Sequence, residues 1–273
     1  MISPRAMWQL REWWLPKEGN APEEYEDAFR SLPERGRFAV ADGATESSYT
    51  GIWAATLVAA FAEAPPDVEA DAAALEVWLK PLQAAWHAAV PWDRLPWYGL
   101  EKAQAGAFAS LLGLEFRPRA DGGALWRAAA LGDSILLQVR EGEILLAWPV
   151  AAASEFGSRP RLLPSQPART RAVLSAWSQT QGDALPGDRF FLVTDALGHW
   201  ALTAAEAGEP PWETLWAIED EGDFADFVAA ERAAKRLRND DVTLVAFSIP
   251  DRWSLPEETS REIVALVPVG EVY

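Results

Sequence analysis

A chain of 273 residues, 49% hydrophobic and 24% charged, has the mix of a folded globular protein and the length to bury a sizeable core, which excludes disorder, collagen-like repeats and coiled coil. Its 24 Lys and Arg against 41 Asp and Glu leave a formal net charge of −17, so phosphate backbones and anionic lipid are repelled and neither nucleic acid nor membrane is an expected partner. With no cysteine and only two histidines, His87 and His199, there is no disulfide framework, no thiol nucleophile and no Cys/His zinc site, and any metal must be held mainly by oxygen.

The first fourteen residues are broken by Arg5, Arg11 and Glu12 and lack the apolar centre of a secretory signal. The longest apolar stretch, around residues 51–62, is too short to span a bilayer, so a cytoplasmic location is the expectation. Residues 37–41 form a short apolar run that ends on Asp42, as a buried strand does at a functional edge. Ser47 or Ser48 is the expected N-cap of a helix through Phe61. A second helical stretch puts Leu75, Trp78, Leu79, Leu82, Trp86 and Val90 on one face, with Pro81 expected to kink or split it. Residues 107–116, 126–131, 135–140 and 144–148 read as an antiparallel meander, with Glu141-Gly142-Glu143 as a hairpin turn.

Residues 189–194 form another strand, this one ending on Asp195. Asp223 then opens a helix to Arg238, acidic in its first turn and basic in its last, and Asp240-Asp241 precede a strand over 242–249. No fixed-period repeat or Gly/Ser linker divides the chain, which reads as one domain over 1–250 and an extension over 251–273 whose role is not legible. The fold class is α+β, with sheets packed together and helices outside. The fifteen tryptophans suggest a carbohydrate or ligand cage, but Trp53, Trp78 and Trp86 fall on helical stretches and read as packing. His87, beside Trp86, reads as structural.

Chemistry is concentrated in five places: Glu26-Asp27 before Ala28-Phe29, Asp42-Gly43 at a strand end, Gly132-Asp133-Ser134, Thr194-Asp195 at a second strand end, and Asp240-Asp241-Val242-Thr243. A single strand-end aspartate more often makes a turn or caps a helix. Five such places in this order resemble the motifs of the type 2C metal-dependent protein phosphatases over about residues 24–247. The resemblance implies two packed antiparallel sheets flanked by helix pairs, a four-layer αββα sandwich with a two-metal site at one edge, and hydrolysis of phosphoserine and phosphothreonine in proteins. It implies that Asp42 bridges two Mn2+ or Mg2+ ions, that Asp195 and Asp240 complete one of them, and that the Gly43 carbonyl binds the other. Glu26 and Asp27 would hold metal-bound waters, and Asp133, with Asp195, matches the place of a third, weaker ion.

Elementary electrostatics agrees, since carboxylates crowded at one edge repel unless protonated or bridged by cations, and an all-oxygen site selects Mg2+ or Mn2+. Such ions activate water directly, and no side-chain nucleophile is needed. The sequence departs from the family pattern where Ala44-Thr45-Glu46 follow Gly43 in place of further glycine, where Ala196 stands for glycine and His199 for a second acid, and where Asp241 replaces asparagine. The arginine expected shortly before Glu26 is absent, Ala21 and Pro22 occupying that region. His199 is read either as a proton donor or metal ligand, or as a surface loop residue.

From Phe156 through Gly182 there is no acid, yet Arg159, Arg161, Arg169 and Arg171 fall there, where the family carries a flap beside its active site. Arg159 and Arg161 are therefore candidate substrate contacts, the alternative being that these arginines pair with acidic surface. The expected partners are a phosphorylated protein substrate and a cognate Ser/Thr kinase. Two rivals stand beside the phosphatase: a catalytically weak binding or regulatory module, which would be free to lose its metal-site acids, and an acidic scaffold protein, which leaves the strand-end aspartates to coincidence.

Overall fold

The computed structural model describes residues 8–45, 47–67, 71–120, 123–157, 160–251 and 255, so the predicted extension lies almost wholly outside the described residues. In chain order the strands are β1 (Gln9–Leu15), β2 (Ala28–Leu32) and β3 (Arg37–Ala41), and the helices α1 (Thr50–Glu63), α2 (Ala72–Ala89) and α3 (Trp97–Gln104) follow. Then come β4 (Phe108–Ala109), β5 (Leu111–Pro118), β6 (Ala124–Leu131), β7 (Ile135–Arg140), β8 (Glu143–Trp148) and β9 (Leu163–Pro164). The short α4 (Pro167–Thr170), β10 (Ser178–Ala184), β11 (Arg189–Val193), α5 (Asp195–Glu206), α6 (Pro211–Trp216), α7 (Glu221–Ala233) and β12 (Val242–Ser248) complete the order.

One antiparallel sheet runs β1-β12-β11-β7-β8, the other β10-β6-β5-β3-β2, and β4 pairs with β9 apart from both. The strands bury alternate side chains between the sheets, where Phe38 and Phe247 stack at 3.8 Å between ring centroids and Phe116 meets Phe190 edge to face at 4.9 Å. The outer face of the second sheet is covered by α1 and α2 through Trp53, Leu57, Phe61, Leu79 and Trp86, and that of the first by α5, α6 and α7 through Leu197, Trp200, Leu215 and Phe224. The result is the expected four-layer αββα sandwich. Both buried tryptophans under α1 and α2 are packing residues with satisfied rings, Trp53 Nε1 donating to the Leu163 carbonyl at 2.8 Å and Trp86 Nε1 to that of Tyr49 at 3.1 Å.

Several local expectations are corrected. Neither Ser47 nor Ser48 caps α1: Tyr49, at a left-handed φ of 59°, is the N-cap, while the Ser47 hydroxyl donates to the Ala44 carbonyl and accepts from the Phe108 amide. α2 passes unbroken through Pro81, with Asp71 capping its start by accepting from the Ala74 amide. The strand expected over 107–116 is divided at Ser110, whose amide turns aside to the Asp42 carbonyl. α7 begins at Glu221 with Asp220 as cap and stops at Ala233, so Arg238 belongs to the loop before β12 and not to the helix. Among the described residues no helix is long and apolar enough to cross a membrane.

One glycine fixes how closely a helix lies on its sheet. A Cβ added at Gly113, in the middle of β5, would stand 2.3 Å from the Phe61 ring of α1, so the ring rests directly on sheet backbone. Gly113→Ala should destabilise the protein by roughly 1 to 3 kcal/mol through overpacking. Urea unfolding measures the loss, and Gly113→Ala with Phe61→Leu should recover part of it.

Candidate active site

Strand register brings the acids to one edge. Val193 at the end of β11 pairs with Leu244 near the start of β12 and with Ile135 at the start of β7, so Asp195, Asp240 and Asp133 emerge on the same side of the first sheet. In the second sheet, Ala41 at the end of β3 pairs with Ala28 at the start of β2, which sets Asp42 beside Asp27. The β6 to β7 turn at Gly132 joins the two groups, since Leu131 pairs with Leu111 beside Ser110.

Hydrogen bonds then pin each segment. The Asp42 amide donates to the Ser110 hydroxyl at 3.0 Å, and that hydroxyl lies 2.7 Å from the Ser134 hydroxyl. Thr243 donates to Asp27 Oδ2 at 2.7 Å, receives the Tyr25 hydroxyl on its other side, and its amide donates to Thr194. Gly43 has no room for a side chain, because a Cβ would stand 2.5 Å from the Glu26 carbonyl. Glu26 itself accepts from the Thr50 hydroxyl at 2.5 Å, tying it to the first residue of α1.

Asp241 explains one departure in the sequence. Its Oδ1 accepts the Lys17 amide at 2.8 Å and its Oδ2 the Glu26 amide at 2.7 Å, one on each oxygen, where an asparagine in the same pose would turn its NH2 group toward one of the two amide donors. Arg232 adds a third clasp by donating to the Pro16 and Asp240 carbonyls.

The electrostatics of the edge is dominated by burial and by like charge. Burial pushes the Asp42 carboxyl well above the usual carboxylate range, and Asp27, Asp195, Asp133 and Asp240 push it further. Asp27 is raised chiefly by burial against the opposing hydrogen bond from Thr243. Asp133 is pushed up to about 7 by burial and then by Asp195, and Asp240 is raised for the same two reasons. Arg238, which donates from Nη2 to Asp195 Oδ2 at 2.9 Å, offsets both Asp133 and Asp240, and Lys17 offsets Asp240.

Asp27, Asp42, Asp133, Asp195 and Asp240 are thus within electrostatic reach of one another, and Gly43 and Glu26 adjoin them. Among the described residues no three acidic or imidazole side chains close on a single point, an arrangement consistent with mutual repulsion at this edge. As a donor set these oxygens suit a hard divalent ion, and no hydrogen bond from a described residue reaches the Asp42 carboxylate.

The remaining candidates separate. Asp195 is the first residue of α5, which contains Ala196, and His199 is not a loop residue but lies on α5, half-buried, with its ring 5.6 Å edge-on to Phe156. Arg159 lies outside the described residues. Arg161 is exposed and donates to the Ser175 hydroxyl at 2.9 Å, next to Leu162, which borders the Gly132 turn. Of the other arginines in that segment, Arg171 pairs with Glu76 and Arg169 lies over the Phe108 ring. Sequence reasoning passed over Arg238 as a helix-terminal charge, and its place two residues before Asp240 was the available signal.

No family model matches the sequence, and no curated protein matches it. Solved structures do match. The serine/threonine phosphatase PstP of Mycobacterium tuberculosis is 20% identical, with a TM-score of 0.55 over 88% of this chain and 99% of that one. The catalytic domain of PstP in complex with two manganese ions gives 17% and 0.54 over 88% and 97%. The photosystem II phosphatase PBCP gives 14% and 0.53 over 90% and 100%. This chain has the type 2C phosphatase fold.

In chelator the repulsion should be visible as a pH-dependent stability. A buried acid whose folded pKa is raised from its ordinary 3.8 to about 7, as for Asp133, binds its proton more tightly in the folded state, so stability is highest below pH 4 and falls as pH rises toward 7. Calorimetric unfolding in EDTA should show this fall, on the order of 2 to 4 kcal/mol for the edge, and Asp133→Asn should flatten it.

Proposed function

We propose that this protein hydrolyses phosphoserine and phosphothreonine in proteins, with its acidic edge holding two Mn2+ or Mg2+ ions and room for a third. The observation that carries the reading is the gathering of Asp27, Asp42, Asp133, Asp195 and Asp240 at one edge from both sheets, with Asp27, Asp42, Asp133 and Asp240 raised by burial and by their acidic neighbours with little cationic relief. Asp42 would bridge the ions, Asp195 and Asp240 would complete one, the Gly43 carbonyl would bind the other, and Asp133 with Asp195 would take the third. When bound, such ions supply a nucleophile from water at neutral pH and stabilise charge on the phosphoryl group.

The chain's own residues set the geometry. Thr243, itself bonded to the Tyr25 hydroxyl, holds Asp27, Thr50 holds Glu26, and Asp241 fixes the backbone that carries both acids. Arg161, on the acid-free segment beside the Gly132 turn, is proposed to meet the protein part of a substrate, together with Arg159. Such an enzyme would work in signalling, opposite a Ser/Thr kinase. A weak or regulatory relative is the second reading, favoured by the absence of an arginine before Glu26.

Turnover of p-nitrophenyl phosphate should require added Mn2+ or Mg2+ and vanish in excess chelator; full activity in chelator overturns the proposal. Asp42→Asn should lower kcat by about a hundredfold or more while the protein stays folded by circular dichroism. Arg161→Ala should reduce kcat/KM for a phosphopeptide while leaving p-nitrophenyl phosphate turnover nearly unchanged, since a small aryl ester does not extend to the flap.

A further inference from the structure

We propose, on the phosphatase reading above, that Arg238 is the residue that receives the substrate's phosphate. Its guanidinium stands at the rim of the acidic edge, in the loop between α7 and β12, with its side chain 46% exposed against 15% for its partner Asp195. It spends one nitrogen on that partner, Nη2 donating to Asp195 Oδ2, and its Nε and Nη1 have no acceptor among the described residues. A planar fork held along one side by a carboxylate keeps further donors for an incoming phosphate oxygen, and its orientation is already fixed.

The other cations near the edge are committed elsewhere. Arg232 gives Nη1 and Nη2 to the Pro16 and Asp240 carbonyls and holds backbone, and its Nε, without an acceptor among the described residues, is buried rather than open to a ligand. Lys17 is a single ammonium 3.5 Å from the Thr45 hydroxyl and offers no fork. Arg161, on the acid-free segment, faces Ser175 and not an acid of the edge, and Arg11 and Arg189 lie over the Trp216 ring, Arg189 at the start of β11 and so at the opposite end of that strand from Asp195. A phosphate dianion arriving among five aspartates needs a positive group that is oriented, accessible and unsaturated, and Arg238 has all three properties. The arginine missing before Glu26 is in this way replaced from the other end of the chain.

The experiment compares wild type with Arg238→Ala, Arg238→Lys and Arg171→Ala in Mn2+, reading KM and kcat on p-nitrophenyl phosphate and on a phosphoserine peptide, and inorganic phosphate binding by calorimetry. Arg238→Ala should raise KM on both substrates and weaken phosphate binding by about ten- to a hundredfold, with a smaller change in kcat. Arg238→Lys, which keeps the charge and loses the fork, should fall between, and Arg171→Ala, which loses only an exposed pair with Glu76, should change none of these readings. Unchanged KM and phosphate affinity in Arg238→Ala, or an equal loss in Arg171→Ala, overturns the assignment. If wild type turns over neither substrate, the phosphatase reading falls and calorimetry alone decides Arg238: weaker phosphate binding in Arg238→Ala upholds it, and equal binding, or none in wild type, overturns it.

Discussion

Repulsion among buried carboxylates is the constraint around which this molecule is arranged. Burial raises Asp27, Asp42, Asp133 and Asp240, and each also feels at least one of the others or Asp195, so the edge resists assembly at neutral pH. The fold supplies the opposing free energy from elsewhere, through an interior of interlocked phenylalanines between the sheets and two helical layers whose tryptophans pack outside them. Short polar links carry that rigidity to the edge: Ser110 to Asp42 and Ser134, Thr243 to Asp27, Asp241 to the backbone before Glu26.

Hydroxyls are the right groups for such links. A serine or threonine donates to a carboxylate without neutralising it, so the acid is positioned and its charge is kept. An arginine in the same place would satisfy the acid and remove it from use, and the guanidinium that does enter the edge, Arg238, touches only one oxygen of one aspartate.

The strand-end aspartates were legible because period and polarity break together at Asp42, Asp195 and Asp240, and the four-layer architecture was implied by the family resemblance that their order carries. What stayed hidden depends on contacts far apart in sequence. β1 carries Arg11, Glu12 and two tryptophans, and reads as a strand only once β12 pairs with it along its length. Ser47 looked like a helix cap because hydroxyl residues favour that place, whereas its hydroxyl is taken by Ala44 and Phe108 in the turn behind Asp42. The reach of Arg238 to Asp195 is invisible without the loop that ends α7 early.

The double acceptance by Asp241 has a temporal consequence. It joins positions 215 and 224 residues apart, and Thr243 reaches back 216 residues to Asp27, while β12 slots between β1 and β11 as an inner strand. Contacts of that separation close late, after their entropy has been offset by nearer pairings. During synthesis the Glu26-Asp27 segment can meet β3 and Thr50 early, but its bonds to Asp241 and Thr243 wait until nearly the whole domain has left the ribosome. Assembly of the acidic edge and completion of the sandwich become one event, so an interrupted chain lacks the edge.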